Sequence, residues 1–248
     1  QHRFGINQRS SFYTPRSNKS LSPHLIYMSA TPIPRSLALV IYQGLDYTRI
    51  SDMPDGRKII NTEIILDEKR EVLIKKLISF LKKGQQIFWV CPSINSNTFT
   101  ELESVYRTQD LLSRRLKDFK LGVLHGQLSE DIATRTLQDF RSGIVQLLIC
   151  TTVIEVGIDV PNATTIVIED ADRFGLSQLH QLRGRVGRSN NQGNCFLVHK
   201  KNISAESLFR LSALVAHSDG FDLAEKDLMI RGSGDYLGVR QSGHLDNY

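Results

Sequence analysis

The chain has 248 residues, enough for one to two domains with real cores, and its 40% apolar and 23% charged content is ordinary for a soluble fold. A formal net charge of +5 permits a nucleic-acid partner without requiring one. No apolar stretch approaches the roughly 20 residues that span a membrane and no signal peptide opens the chain, so the expectation is a cytosol-like protein without a membrane partner. Cys91, Cys150 and Cys195 lie far apart, without metal-ligand spacing, in or at the end of apolar runs, so they are expected as buried reduced thiols with no metal.

Residues 1–57 begin with a polar stretch, Asn7 to Pro23, that reads as a surface loop. A strand follows at Leu25 to Met28. Pro32 and Pro34 break it, and Pro34 suits the first turn of a helix running to about Tyr42. Met53-Pro-Asp-Gly-Arg57 reads as a linker between lobes. Residues 58–200 then alternate strands with helices. Strands are expected at Ile59–Leu66, Ile87–Val90, Leu121–Leu124, Gln146–Cys150, Thr165–Glu169 and Asn194–Val198. Between them, Lys69–Lys82 places Leu73, Ile74, Leu77, Ile78 and Leu81 on one stripe, and further helices are expected at Glu101–Asp118 and Ser129–Arg141. This spacing implies an α/β fold with a parallel sheet covered on both faces. Residues 201–248 read as two helices turning at Ser218-Asp-Gly-Phe221, then a glycine-rich tail.

The segment richest in chemistry is Gln178-Leu-His-Gln-Leu-Arg-Gly-Arg-Val-Gly-Arg188. If it is helical, Gln181, Arg185 and Arg188 share one side, and Gly184 and Gly187 let another surface come close. Guanidinium groups so held suit a γ-phosphate, where charge builds during phosphoryl transfer. The plainer reading is a basic surface helix that meets any polyanion. Upstream, the strand ending at Cys150 runs into the polar loop Thr151-Thr-Val-Ile-Glu-Val-Gly-Ile-Asp-Val160, with Gly157 and Asp159 at its turn. Loops at the carboxyl ends of parallel strands are where open α/β sheets bind ligands. Thr151 and Thr152 carry hydroxyls suited to phosphate oxygens, as does the guanidinium of Arg35. His125 ends a strand, with a backbone-contacting and a structural role equally open. Trp89 reads as core, and Glu169, Asp170 and Asp172 as a cluster that orients arginines and binds no metal.

The order of strand, polar loop, strand and arginine segment resembles motifs V and VI of superfamily 2 helicases, and Met28-Ser-Ala-Thr-Pro-Ile-Pro-Arg35 resembles their motif III. Further strings narrow the resemblance: Gln1-His-Arg-Phe-Gly5, Phe88-Trp-Val-Cys-Pro92, Asp172-Arg-Phe-Gly-Leu-Ser-Gln-Leu-His180, Arg231-Gly-Ser-Gly-Asp235 and Leu237-Gly-Val-Arg-Gln-Ser-Gly243. Together they resemble the RecG family of ATP-dependent DNA helicases, almost end to end. The transcription-repair coupling translocase shares the His-Arg-Phe-Gly and Gly-Arg-Val-Gly-Arg strings and stands second.

The resemblance implies a RecA-like P-loop NTPase helicase lobe at 58–200, the end of a first lobe at 1–57 and a translocation hairpin at 201–248. It implies Arg185 and Arg188 as arginine fingers, with Gln181, Gly157 and Asp159 facing the nucleotide. It implies Arg35, His125, Thr151 and Thr152 on DNA, and Ser29, Ala30, Thr31, Arg210, Arg231 and Gln241 in coupling. ATP and Mg²⁺ are the implied cofactors. Branched double-stranded DNA is the implied partner, with single-strand DNA-binding protein as a second, for a monomer in a bacterial-type cytoplasm or an organelle of bacterial descent. The sequence contains no Gly-x-x-x-x-Gly-Lys-Ser/Thr loop. The resemblance puts that loop and the Mg²⁺ carboxylates upstream of Gln1, so the chain reads as part of a motor, inert alone. The rival from another class is a non-enzymatic lobe that only binds nucleic acid.

Overall fold

A computed structural model describes residues 48, 50, 58–92, 98–152, 160–187 and 191–231. The expected elements of lobe one, including Ser29, Ala30, Thr31 and Arg35, lie outside these residues, as do Gly157, Asp159, Arg188 and Gln241. Six strands form one sheet: β1 Asn61–Leu66, β2 Gln86–Val90, β3 Leu121–Leu124, β4 Leu147–Cys150, β5 Ala163–Ile168 and β6 Asn194–His199. The spatial order is β1-β6-β5-β2-β4-β3, and every pairing is parallel. Among the described residues six helices accompany them: α1 Arg70–Lys82, α2 Thr98–Arg115, α3 Glu130–Arg141, α4 Leu176–Arg183, α5 Ala205–Ala216 and α6 Gly220–Arg231. This is the covered parallel sheet that the alternation of elements implied and the RecA-like lobe that the resemblance implied.

Both faces of the sheet are covered because its central strands are apolar on both sides. Every residue of β2, β4, β5 and β6 is buried. Alternate residues face opposite ways along a strand. Phe88, Val90, Leu148, Cys150, Ile166, Ile168 and Leu197 pack in one core with α3, α4, α5 and α6. Ile87, Trp89, Leu147, Ile149, Val167 and Phe196 pack in the other with α1 and α2. Phe140 of α3 meets Phe88 with ring centroids 5.0 Å apart. The amide of Gln86 closes that region from below, donating to the carbonyls of Phe140 and Val145.

The three cysteines are free and buried, as expected from their runs. Burial pushes the thiols of Cys91 and Cys195 up to about 12, and that of Cys150 well above its ordinary value. The unfolded chain titrates near ~8.5, so it releases protons that the folded chain retains. The stability these thiols carry is therefore full below that value and is lost as pH rises toward 12. Native protein is expected to resist a thiol reagent such as iodoacetamide at pH ~8 and to react once denatured. Urea midpoints should fall as pH is raised above ~9. Rapid native alkylation would contradict this burial.

Candidate functional site

The carboxyl edge of the sheet holds the first group of candidate residues. Chain order reverses around β2: the chain leaves β4 on one side of it and re-enters as β5 on the other. Thr151 and Thr152 leave β4 at that reversal, where open α/β sheets hold ligands. The backbone N–H of Thr151 donates to the carbonyl of Leu124, 3.2 Å away, which ties the threonine loop to the residue preceding His125. The structure thus brings together Thr151, Thr152 and His125.

His125 is buried, and both its ring nitrogens are engaged. Nδ1 accepts from the N–H of Gln127 at 3.3 Å, which leaves Nε2 to donate to the hydroxyl of Tyr106 at 3.1 Å. Burial holds its basicity below the ordinary histidine value. Of its two readings this geometry fits the structural one: a neutral ring pins α2 to the loop after β3. A direct bond from this ring to a phosphate would require one of those two bonds to break.

Beside them Glu169 takes a two-pronged grip from Arg70, with Nη1 to Oε2 at 2.7 Å and Nη2 to Oε1 at 2.5 Å. Arg70 also reaches Asp67 and lies 5.9 Å from the centre of the Trp89 ring. Its burial alone would lower its basicity, but Glu169 and Asp67 outweigh that and raise it. Of the acidic cluster, Glu169 orients an arginine, and that arginine is Arg70 rather than one from the arginine segment. No group of side chains with metal-binding potential occurs among the described residues.

The arginine segment departs from the expected helix. α4 ends at Arg183, and Gly184 is its cap. The N–H groups of Arg185 and Val186 turn back to the carbonyls of Leu182 and Arg183 at 3.0 and 3.3 Å. Gly187 has φ of +71°, so the chain has left the helix by that residue. Gln181 and Arg185 therefore do not share a helical face, and a tight turn sets the direction of Arg185. Gly187 admits a close neighbour, and that neighbour belongs to the same chain. A Cβ on Gly187 would sit 2.9 Å from Cγ1 of Ile60, and one on Gly193 would sit 3.0 Å from the Cα of Gly187. The close approach is to the chain's own strand entries, because Ile60 and Gly193 directly precede β1 and β6. The arginine turn thus lies at the amino edge of the sheet, opposite Thr151.

The residue the sequence reading passed over is Arg183. It is 5% exposed, and its guanidinium is aimed at the end of α5. Nη1 donates to the carbonyls of Leu214 and His217 at 2.6 and 2.9 Å, and Nη2 to that of Ser218 at 3.1 Å. Nη2 also lies 3.1 Å from Nδ1 of His180. The last carbonyls of a helix have no partner within it and carry its negative dipole end, so a buried cation is well placed there. A signal for this was present: Leu176, Leu179 and Arg183 follow helical spacing, which puts an arginine on the apolar stripe.

Arg210, expected in coupling, ties α5 to the turn after β5. It donates through Nη2 to the carbonyl of Asp172 at 3.0 Å and through Nη1 to Glu206 at 3.1 Å. Asp172 lies in the turn Ala171–Arg173 after β5. Ser204 caps the helix by accepting from the N–H of Ser207 at 3.1 Å. α6 follows and packs against both α4 and α5, closing at Arg231. Replacing Arg183 with Met leaves one buried and two part-buried carbonyls without this donor. The expected cost is about 2 kcal/mol or more in urea unfolding, with faster amide exchange in α5 and α6 than in β2 or β5. A uniform change in exchange across the sheet would argue against a local clamp.

Residues 68–190 match the family described as the helicase conserved C-terminal domain. The ATP-dependent DNA helicase RecG of Aquifex aeolicus is 45% identical over 248 residues, covering 99% of this chain and 31% of that protein. That of Escherichia coli is 40% identical over 247 residues, covering 99% and 36%. A solved structure of RecG bound to a three-way DNA junction is similar with a TM-score of 0.71 at 43% identity, covering 84% of this chain and 27% of that one. Domain 2 of the DEAD-box helicase Mss116p, 15% identical with a TM-score of 0.51 over 72% of this chain and 73% of that one, shares the fold. The chain spans about a third of the length of the curated relatives it matches.

Proposed function

The chain belongs to the RecG family of superfamily 2 helicases, and from that premise we propose that it forms the second motor lobe and coupling hairpin of an ATP-dependent helicase that remodels branched DNA. One observation carries this reading: Arg183, two residues before Arg185, is bonded to the end of the hairpin helix α5. A turn that answers to a nucleotide and a helix pair that moves against DNA are thereby joined by one side chain.

In this reading ATP sits against the arginine turn. Arg185 and Arg188 meet the γ-phosphate, with Gln181, Gly157 and Asp159 nearby, and they supply positive charge where the transferring phosphoryl group gains negative charge. Mg²⁺ would supply further positive charge to the phosphates. Thr151 and Thr152, with Arg35 from the first lobe, give sequence-blind contacts to the phosphate backbone. When hydrolysis loosens the arginine turn, Arg183 shifts the end of α5. Arg210 holds the start of that helix to the turn after β5, so the hairpin pivots. Arg231, Gln241 and the Ser29-Ala-Thr31 element complete the coupling. Single-strand DNA-binding protein is a partner this reading accommodates, and a monomer suffices for it.

The test uses the complete helicase. Arg185→Ala and Arg188→Ala should each reduce DNA-stimulated ATP hydrolysis by about 10³-fold while junction binding persists. Arg183→Met should separate the two activities: hydrolysis continues, but fork unwinding per ATP falls by about tenfold or more. Near-normal hydrolysis in both alanine variants would remove the arginine-finger assignment. Proportionate loss of hydrolysis and unwinding in Arg183→Met would remove the coupling one.

A further inference from the structure

A second charged surface lies at the amino edge of the sheet, under β2, β4 and β3, away from the arginine turn. The connections entering these three strands are stitched together. The N–H of Ile87 donates to the carbonyl of Gln146 at 3.0 Å, and that of Gln146 to Lys120 at 2.9 Å. The Gln146 side chain accepts from the N–H of Lys120 at 3.1 Å, and Gln86 donates to Val145 at 2.9 Å. These bonds gather Lys82 and Lys83, which precede β2, Lys117 and Lys120, which precede β3, and Arg141, which precedes β4.

All five cations are exposed, and among the described residues none forms an ion pair. Arg114 and Arg115 nearby differ, being paired with Asp110 and Glu71 at 2.7 Å. The plain explanation is that these cations offset the negative ends of α1, α2 and α3. Each helix end is worth about half a charge. Asp118 and Asp139 remove two of the five charges, and three helix ends remove about half of what remains. A net positive surface is left after that explanation is used up.

We propose that this rim binds the phosphate backbone of a DNA duplex arm. The inference rests on the reading above that the substrate is DNA. Its chemistry favours backbone over bases. Lysines are mobile point charges without the fork that reads a base edge. The exposed large apolar residue here is Ile144, and the aromatic rings nearby, Phe80 and Phe119, are packed against the core, so no free aromatic face invites a stacked single strand. The rim also lies a strand length, about 13 Å, from Thr151 and Thr152. It therefore takes a different stretch of backbone from the one at the carboxyl edge, which suits a substrate with more than one arm.

The test measures binding of the 248-residue chain to a labelled forked DNA by fluorescence anisotropy, from about 50 to 200 mM salt. The variant K82E/K83E/K117E/K120E should bind about tenfold or more weakly at low salt. Its plot of log affinity against log salt should be shallower by about three. The milder K82Q/K83Q/K117Q/K120Q variant should fall between, and unchanged melting would show that both fold. T151V/T152V should weaken binding while leaving the contribution of the rim lysines in place. Wild-type slope and affinity in the glutamate variant overturn the rim and leave the carboxyl-edge contacts standing. Polyaspartate binding that is lost in this variant while DNA binding is kept overturns it in favour of an acidic protein. A wild-type chain that ignores forked DNA at low salt overturns the rim and the DNA reading together.

Discussion

A single guanidinium sets how the hairpin sits on the sheet. Arg183 belongs by sequence to the arginine segment and by contact to α5, whose last carbonyls it satisfies. A buried charge is costly unless its hydrogen-bonding capacity is met, and helix ends offer carbonyls that nothing else within the helix can use. The two deficits cancel only when α4 and α5 hold one relative position. With Arg210 fixing the start of α5 to the turn after β5, the helix is held at both ends by side chain to backbone bonds. Such bonds have narrow geometry, so displacement at one end is felt at the other.

The sheet works as a spacer between two kinds of chemistry. Parallel strands all deliver their loops to the same edge, which is why Thr151, His125 and Glu169 lie at one end of the molecule. Helices return the chain to the other edge, which is where the arginine turn and the basic rim lie. The core is packed on both faces of the sheet, leaving little room for the edges to move separately. The bond from Arg183 to the end of α5 is the direct side-chain link between the helix before the arginine turn and the hairpin.

Most of the fold was legible in the sequence. Runs such as Ile87–Val90 and Leu147–Cys150 are too apolar for an exposed strand, and their alternation with amphipathic helices leaves a parallel sheet as the solution. Boundaries shifted by a few residues: α2 begins at Thr98 and ends at Arg115, and β5 begins at Ala163. The site was legible in composition rather than in geometry. The arginines were found, but their helix was extended through Gly184 and Gly187, although a glycine after the last periodic residue is a stop signal. Arg183 was read as part of a basic run because charge was weighed before the apolar stripe it occupies.

The sequence by itself determined the family, the layered architecture and the reduced, buried state of the cysteines, because these follow from local period, burial and ordered motif strings. Only the tertiary structure decided what touches what. Nothing local specifies that Arg183 meets the end of a helix more than thirty residues later, or that Gly187 is kept small by Ile60 across the sheet. Nor does chain order show that β2, β4 and β3 lie side by side, which brings the loops entering them together. Those contacts join residues distant in sequence, and they exist only once strand order and helix docking have been chosen by the packing of both cores.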